Sequence, residues 1–166
     1  MSLTLNVSHA NLTTPVFGPS PCYGSFSSTQ IQGIAVGVPT PATYDTVDIE
    51  PVGVALSSPS SIRIGVAGVY RVLSSIQVNK TTGGFAELEM FPQVNLTPVP
   101  NSGTRVEVNQ NAEIPMTVEW FLDLNVGDEV FIQIYTPAAG LELLAVPAAV
   151  GLPAIPSIIT TIQRIA

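Results

Sequence analysis

No window of helix length in this chain carries an uninterrupted apolar stripe at the 3.6-residue period, because proline and glycine recur too often to let one develop. What survives between them is short runs rich in Val, Ile, Thr and Phe that alternate apolar and polar. That pattern is the signature of strands with one buried face. The clearest run follows Gly68, where Tyr70, Val72, Ser74, Ile76 and Val78 fall on one face and Arg71, Ser75, Gln77 and Asn79 on the other. A second is Ile114 to Leu124, with Ile114, Met116, Val118, Trp120, Leu122 and Leu124 as its core set. The chain is therefore expected to be all-β.

Punctuation divides the rest. The first strand covers about Tyr23 to Thr29, a loop-rich apolar segment runs from Gln32 to Val38, and Thr43 to Val54 is weakly patterned. Lys80 to Gly84 reads as a hairpin turn returning into Phe85 to Phe91, with Glu87 and Glu89 on the outer face. Asn125 to Asp128 reads as a tight turn pairing Ile114–Leu124 with Val130, Ile132 and Ile134 in another hairpin. Strands at Thr104 to Asn109, Leu141 to Val146 and Ser157 to Ile165 complete the set. An antiparallel jelly-roll β-sandwich of about ten strands is the expected architecture. Residues 1–21, with Pro15, Pro19 and Pro21 and little alternation, read as an extended N-terminal arm before a domain spanning 22–166.

Charge is where composition matters. Charged residues make up 10% of the chain against a hydrophobic share of 46%, and an ordinary soluble domain has about 25% charged residues. Seventeen charges over the roughly 8,000 Å² that a lone molecule of this mass exposes is about one per 470 Å². So bare a surface is expected to be covered by another protein. Phe121, Phe131 and Tyr135 lie off the core phase set by Trp120 and Val130, and large aromatics on the outer faces mark them as candidate trimer-interface residues.

The five basic residues, Arg63, Arg71, Lys80, Arg105 and Arg164, are scattered in a chain of net charge -7, so no nucleic-acid contact is expected. Apolar runs such as Ala148 to Ile155 are broken by Gly and Pro and are too short to span a bilayer, and no membrane partner is expected. The N-terminus has no basic leader followed by an apolar stretch, which points to synthesis in cytoplasm. His9 is the single histidine and Cys22 the single cysteine, so Ser-His-Asp, Cys-His and His-based zinc constellations lack members, and no enzymatic activity and no cofactor are expected. Asp45, Asp48 and Glu50 form a short acidic cluster that could hold calcium, with a solvated acidic loop as the simpler reading.

Several phrases resemble a known family when taken in order. Gly68-Val69-Tyr70-Arg71-Val72, then Leu124 to Val130, then Ser157 to Ile162 resemble the strands of C1q/TNF-like jelly rolls. Tyr23 to Phe26, Pro100 to Val106 and Pro153 to Ser157 are similar to the variant found in virion proteins of tailed phages and large DNA viruses. The resemblance implies a homotrimer of two-sheet jelly rolls in a virion structural protein. Its expected role is capsid decoration, cementing or a vertex position at the capsid surface, bound to the major capsid protein or other virion proteins. Leu3, Leu5, Val7, Val16 and Phe17 of the arm and Val150 and Leu152 of the Pro-rich loop are the candidate docking residues. A receptor-binding knob on a tail fibre or spike, and a cellular C1q-like binding module, are the alternatives.

Overall fold

The computed structural model describes residues 21–166, all of them in strands, turns and loops. Fourteen strands occur in that span, and ten of them have four or more residues. In chain order these ten are β1 (Tyr23–Ser28), β4 (Thr46–Val52), β5 (Val54–Ser58), β6 (Ser61–Ile64), β7 (Gly68–Lys80), β8 (Ala86–Val94), β10 (Thr104–Val108), β11 (Glu113–Leu124), β12 (Glu129–Tyr135) and β14 (Ile158–Arg164). The short pieces β2 (Gln32–Gly33), β3 (Thr40–Pro41), β9 (Thr97–Pro98) and β13 (Leu141–Leu143) extend the sheet edges.

Two antiparallel sheets result. In the first, β7 is flanked on one side by β11 and on the other by β13 and β14, and the order continues through β1 to the edge strand β4. In the second the order is β10-β8-β12-β6-β5, with β9 on the outer edge of β8 and β3 on β12. The alternating sets noted in β7, β8, β11 and β12 face inward from both sheets. Tyr70, Val72, Ile76, Val78, Leu88, Met90, Ile132, Ile134, Ile158 and Ile162 are fully or almost fully buried between them. Burial at this level removes roughly 1.5–3 kcal/mol worth of apolar exposure per large side chain, which is what holds the layers together.

Two expected hairpins are corrected. Strand β7 belongs to the first sheet and β8 to the second, so residues 81–85 cross the end of the sandwich. Likewise β11 pairs with β7, while β12 pairs with β8 and β6, so the Asn125–Asp128 turn also crosses between sheets. The turn is real, with Gly127 at φ 91° and the Asp128 carboxylate accepting the Asn125 N–H at 2.8 Å. It is steered across because the Gly127 N–H donates to the Ile64 carbonyl of the second sheet at 2.8 Å. The weakly patterned Thr43–Val54 segment contains β4, whose register against β1 slips twice between Tyr23 and Phe26; bulges there break the two-residue alternation.

The chain enters and leaves at one pole: Arg164 N–H donates to the Cys22 carbonyl at 2.8 Å and Val69 N–H to the Ala166 carbonyl at 2.9 Å. Gly68 sits beside them at φ 153°, where a Cβ would collide with the Ala166 carbonyl oxygen and the Arg164 side chain. Loops 65–67 and 125–128 share this lower pole. Following β1 for its six residues, about 20 Å, leads to the upper pole, which holds loops 29–45, 81–85, 109–112, 136–140 and 144–157.

A polar thread runs through the interior of the first sheet. The Tyr44 hydroxyl lies 2.8 Å from Thr160 Oγ1, which lies 2.7 Å from Ser74 Oγ, and all three residues are buried. Burial drives the Tyr44 phenol well above its ordinary pKa, more than its hydrogen bond to Thr160 lowers it, so it stays neutral.

Candidate functional site

Three surfaces are available to a partner, and the strand pattern fixes what each presents. The outer face of the first sheet carries Leu73 and Ser75 from β7, Thr117, Glu119 and Phe121 from β11, and Ile159 and Thr161 from β14. Ser25 and Ser27 from β1 continue it. Small hydroxyl side chains occupy its middle, so it is flat. Ile159 keeps 39% of its surface exposed and Phe121 61%. Arg71 holds Glu119 at 2.5 Å, and Asp48 accepts from Ser27 Oγ at 2.8 Å and Ser25 Oγ at 3.3 Å, while Glu113 and Asp123 of β11 are exposed on the same face. A face this flat and half apolar, with its one arginine already paired, suits burial against another protein surface.

The outer face of the second sheet is different in kind. Arg105 bridges Glu87, at 3.2 Å, and Glu89, both across the β8–β10 ladder. Phe131, Gln133 and Tyr135 lie on this face, opposite Gln93, Phe91 and Glu89 of β8. Phe131 is buried and Tyr135 half-buried. The Gln133 side-chain amide donates to Gln93 Oε1 at 3.0 Å, while its own buried Oε1 has no hydrogen-bond partner. The three aromatic candidates therefore do not share a sheet: Phe121 is on one and Phe131 and Tyr135 on the other. Their expected proximity rested on the β11–β12 hairpin, and the sheet-to-sheet crossing separates them.

The upper pole holds the third surface. Residues 144–157 form a small hairpin, with Val146 and Ile155 exchanging backbone hydrogen bonds at 2.9 and 2.8 Å and Ala149 pairing with Leu152 nearer the tip. Val150 is fully exposed at that tip and Leu152 is 66% exposed. An open cleft of about 560 Å³ lies between the hairpin base and the β1–β2 connection, lined by Thr29, Gln30, Ile31, Ala145, Val146, Pro147, Ala154 and Ile155. The candidate residues Leu3, Leu5, Val7, Val16 and Phe17, with the rest of the expected arm up to residue 20, lie outside the described residues. The domain's entry at Cys22 and the hairpin tip with Val150 and Leu152 are at opposite poles. Ile31 falls between the expected first strand and the apolar segment that starts at Gln32, and its approach to a hairpin more than a hundred residues later had no sequence signal.

Asp45 stands beside this cleft and accepts the Thr29 N–H at 3.0 Å, the Thr29 hydroxyl at 2.8 Å and the Thr46 hydroxyl at 2.9 Å. Slight burial pushes its pKa up, but the hydrogen bonds from Thr29 and Thr46 outweigh that and hold the carboxyl below its ordinary value. Asp48 is committed to Ser25 and Ser27, so the acidic cluster with Glu50 is divided between separate partners. No group of three or more His, Cys, Asp or Glu able to hold a metal ion occurs among the described residues. Lys80 is buried at the same pole, its ammonium donating to the carbonyls of Thr82 and Ala139, the latter at 2.5 Å. It works as a clasp between two loops.

Among the described residues no helix is long and apolar enough to cross a membrane. No protein-family model matches the chain, and no curated protein matches it. Solved structures do, with 241 chains in all. One is the globular domain of the zebrafish complement 1qA protein, at 14% identity and a TM-score of 0.58, covering 87% of this chain and 97% of that one. The fold is therefore that of a C1q globular domain, a jelly roll of two antiparallel sheets.

Proposed function

We propose that this C1q-like sandwich is a non-catalytic structural protein of a virus particle, a homotrimer that decorates, cements or occupies a vertex of the capsid. In this reading it is made in the host cytoplasm and displayed at the capsid surface. The observation that carries the trimer is the outer face of the first sheet. It combines exposed Ile159 and Phe121 with a floor of small hydroxyls and an Arg71–Glu119 pair that needs no further partner. Three copies packed on that face would cover Ile159 and Phe121 in a chain with few charges to keep it soluble alone. The viral setting rests on the phrases at Tyr23–Phe26, Pro100–Val106 and Pro153–Ser157. Its direct test is occupancy: a chain lacking residues 1–20 should fold and trimerise yet fail to bind capsids, and normal capsid occupancy by that chain would refute the arm's role.

A second reading, a receptor-binding knob on a tail fibre or spike, is favoured by the polar layout. The first and last described strands meet at the lower pole and the exposed apolar hairpin stands at the other, the arrangement expected of a head tethered at its base, although Val66 and Val126 are exposed at the lower pole too. Immunogold label on the tail would select the knob, and label on the head would select the decoration protein. Absence of the chain from purified virions would select a cellular C1q-like binding module instead.

A further inference from the structure

The upper pole has an electrostatic asymmetry that neither reading uses. Asp45, Glu113 and Glu142 are there, and its one basic side chain among the described residues, Lys80, is buried on backbone carbonyls. The arginines lie elsewhere: Arg71 and Arg105 are paired on the two sheet faces, and Arg63 and Arg164 are toward the lower pole. The cleft beside Asp45 is apolar through Ile31, Val146, Pro147 and Ile155, all of them exposed.

We propose that this cleft is a docking groove for an apolar peptide segment of a partner protein that carries a basic side chain, with the apolar residues against Ile31, Val146 and Ile155 and the cation against Asp45. The groove deepens the reading of the upper pole as the contact pole and rests on it. Charge complementarity selects the occupant. An ionised carboxylate bonded to Thr29, a lining residue, has no cation paired with it among the described residues, so a Lys or Arg arriving from outside gains an ion pair at the edge of a surface that sheds water. Among the described residues an anionic bilayer would meet carboxylates and no exposed cation at this pole, which repels it.

The test uses the full chain with methyl-labelled Ile and Val and two blocked pentapeptides, Leu-Val-Lys-Val-Leu and its Glu-centred counterpart. The Lys peptide is expected to shift the Ile31, Val146 and Ile155 methyl signals saturably and to bind about tenfold more tightly than the Glu peptide. Asp45→Asn keeps an oxygen acceptor for Thr29 and should bring the two affinities to within about twofold. Ile31→Ser should weaken both together. Equal affinities in the unmodified chain, or no shift with either peptide up to about 2 mM, would overturn the assignment. So would shifts that track protein concentration alone and vanish with Arg63→Gln, since these would put a second copy in the groove. Binding to vesicles containing phosphatidylserine with the same methyl shifts would overturn it in favour of a membrane. A trimer that ignores both peptides refutes the groove while leaving the assembly untouched.

Discussion

Replacing Ile159 by aspartate tests the sheet face with the least disturbance to the fold. Ile159 points out of the first sheet from β14, between Ser75 of β7 and Ser27 of β1, so the core does not register its loss. Full burial of such a side chain is worth about 1.5–3 kcal/mol, and the 39% still exposed corresponds to about 0.6–1.2 kcal/mol per copy, or about 2–3.5 kcal/mol in a trimer. Three carboxylates drawn out of water add about 2 kcal/mol each even after relaxation. The sum, about 8–9 kcal/mol, is roughly six orders of magnitude in a third-order dissociation constant, and since the midpoint concentration follows its square root, the midpoint rises about a thousandfold. Sedimentation equilibrium across a concentration series should show the shift, with circular dichroism unchanged. Ile159→Ser, lacking the charge, should move the midpoint only about tenfold. The introduced acid would have a raised pKa in the assembled state, so assembly binds protons and should recover as pH falls toward about 5. An Ile159→Asp chain with the unmodified midpoint would refute burial of this face.

Three further outcomes follow from the interior and the poles. Tyr44→Phe should cost about 1 kcal/mol and Thr160→Val about 2–3 kcal/mol, because the latter leaves two buried hydroxyls without their shared partner. The double variant in urea titration should cost less than the sum. Lys80→Met should destabilise by about 1–3 kcal/mol and speed amide exchange at Thr81, whose N–H bonds the Gly140 carbonyl at 2.8 Å beside the clasp. The Asn125 N–H and the Asn95 side-chain amide hold Asp128 below the ordinary aspartate value of 3.8. Its contribution is therefore complete above that value and is lost as pH falls through the lower folded one. The loss is small because the group is exposed, and Asp128→Asn should flatten the acid limb of a melting-temperature profile.

How much of this was written in the sequence is clearest at β7, β8, β11 and β12. Alternation identified the inward-facing member of each pair, down to Ser74 among its apolar neighbours and Glu87 and Glu89 on the outside, but not that Phe131 and Gln133 on the outer phase of β12 are buried as well. It could not say which sheet a strand joins. Two strands joined by a short turn have the same inward pattern whether they pair side by side or face each other across the core, and the choice at Asn125–Asp128 depended on a backbone bond from Gly127 to Ile64 more than sixty residues earlier. Strand β4 was illegible for a related reason: its bulges leave Val47 and Ile49 both exposed and its carboxylate Asp48 on the serines of β1. The cleft beside Asp45 joins segments distant in sequence, so only the folded chain brings Ile31 to Val146.

The central claim is that three copies cover the outer face of the first sheet, and the mass of the unmodified full chain in solution tests it most directly. Analytical ultracentrifugation at micromolar concentration should return about 52 kDa, three times 17.4 kDa. A single stable species of 17.4 kDa across that range would contradict it.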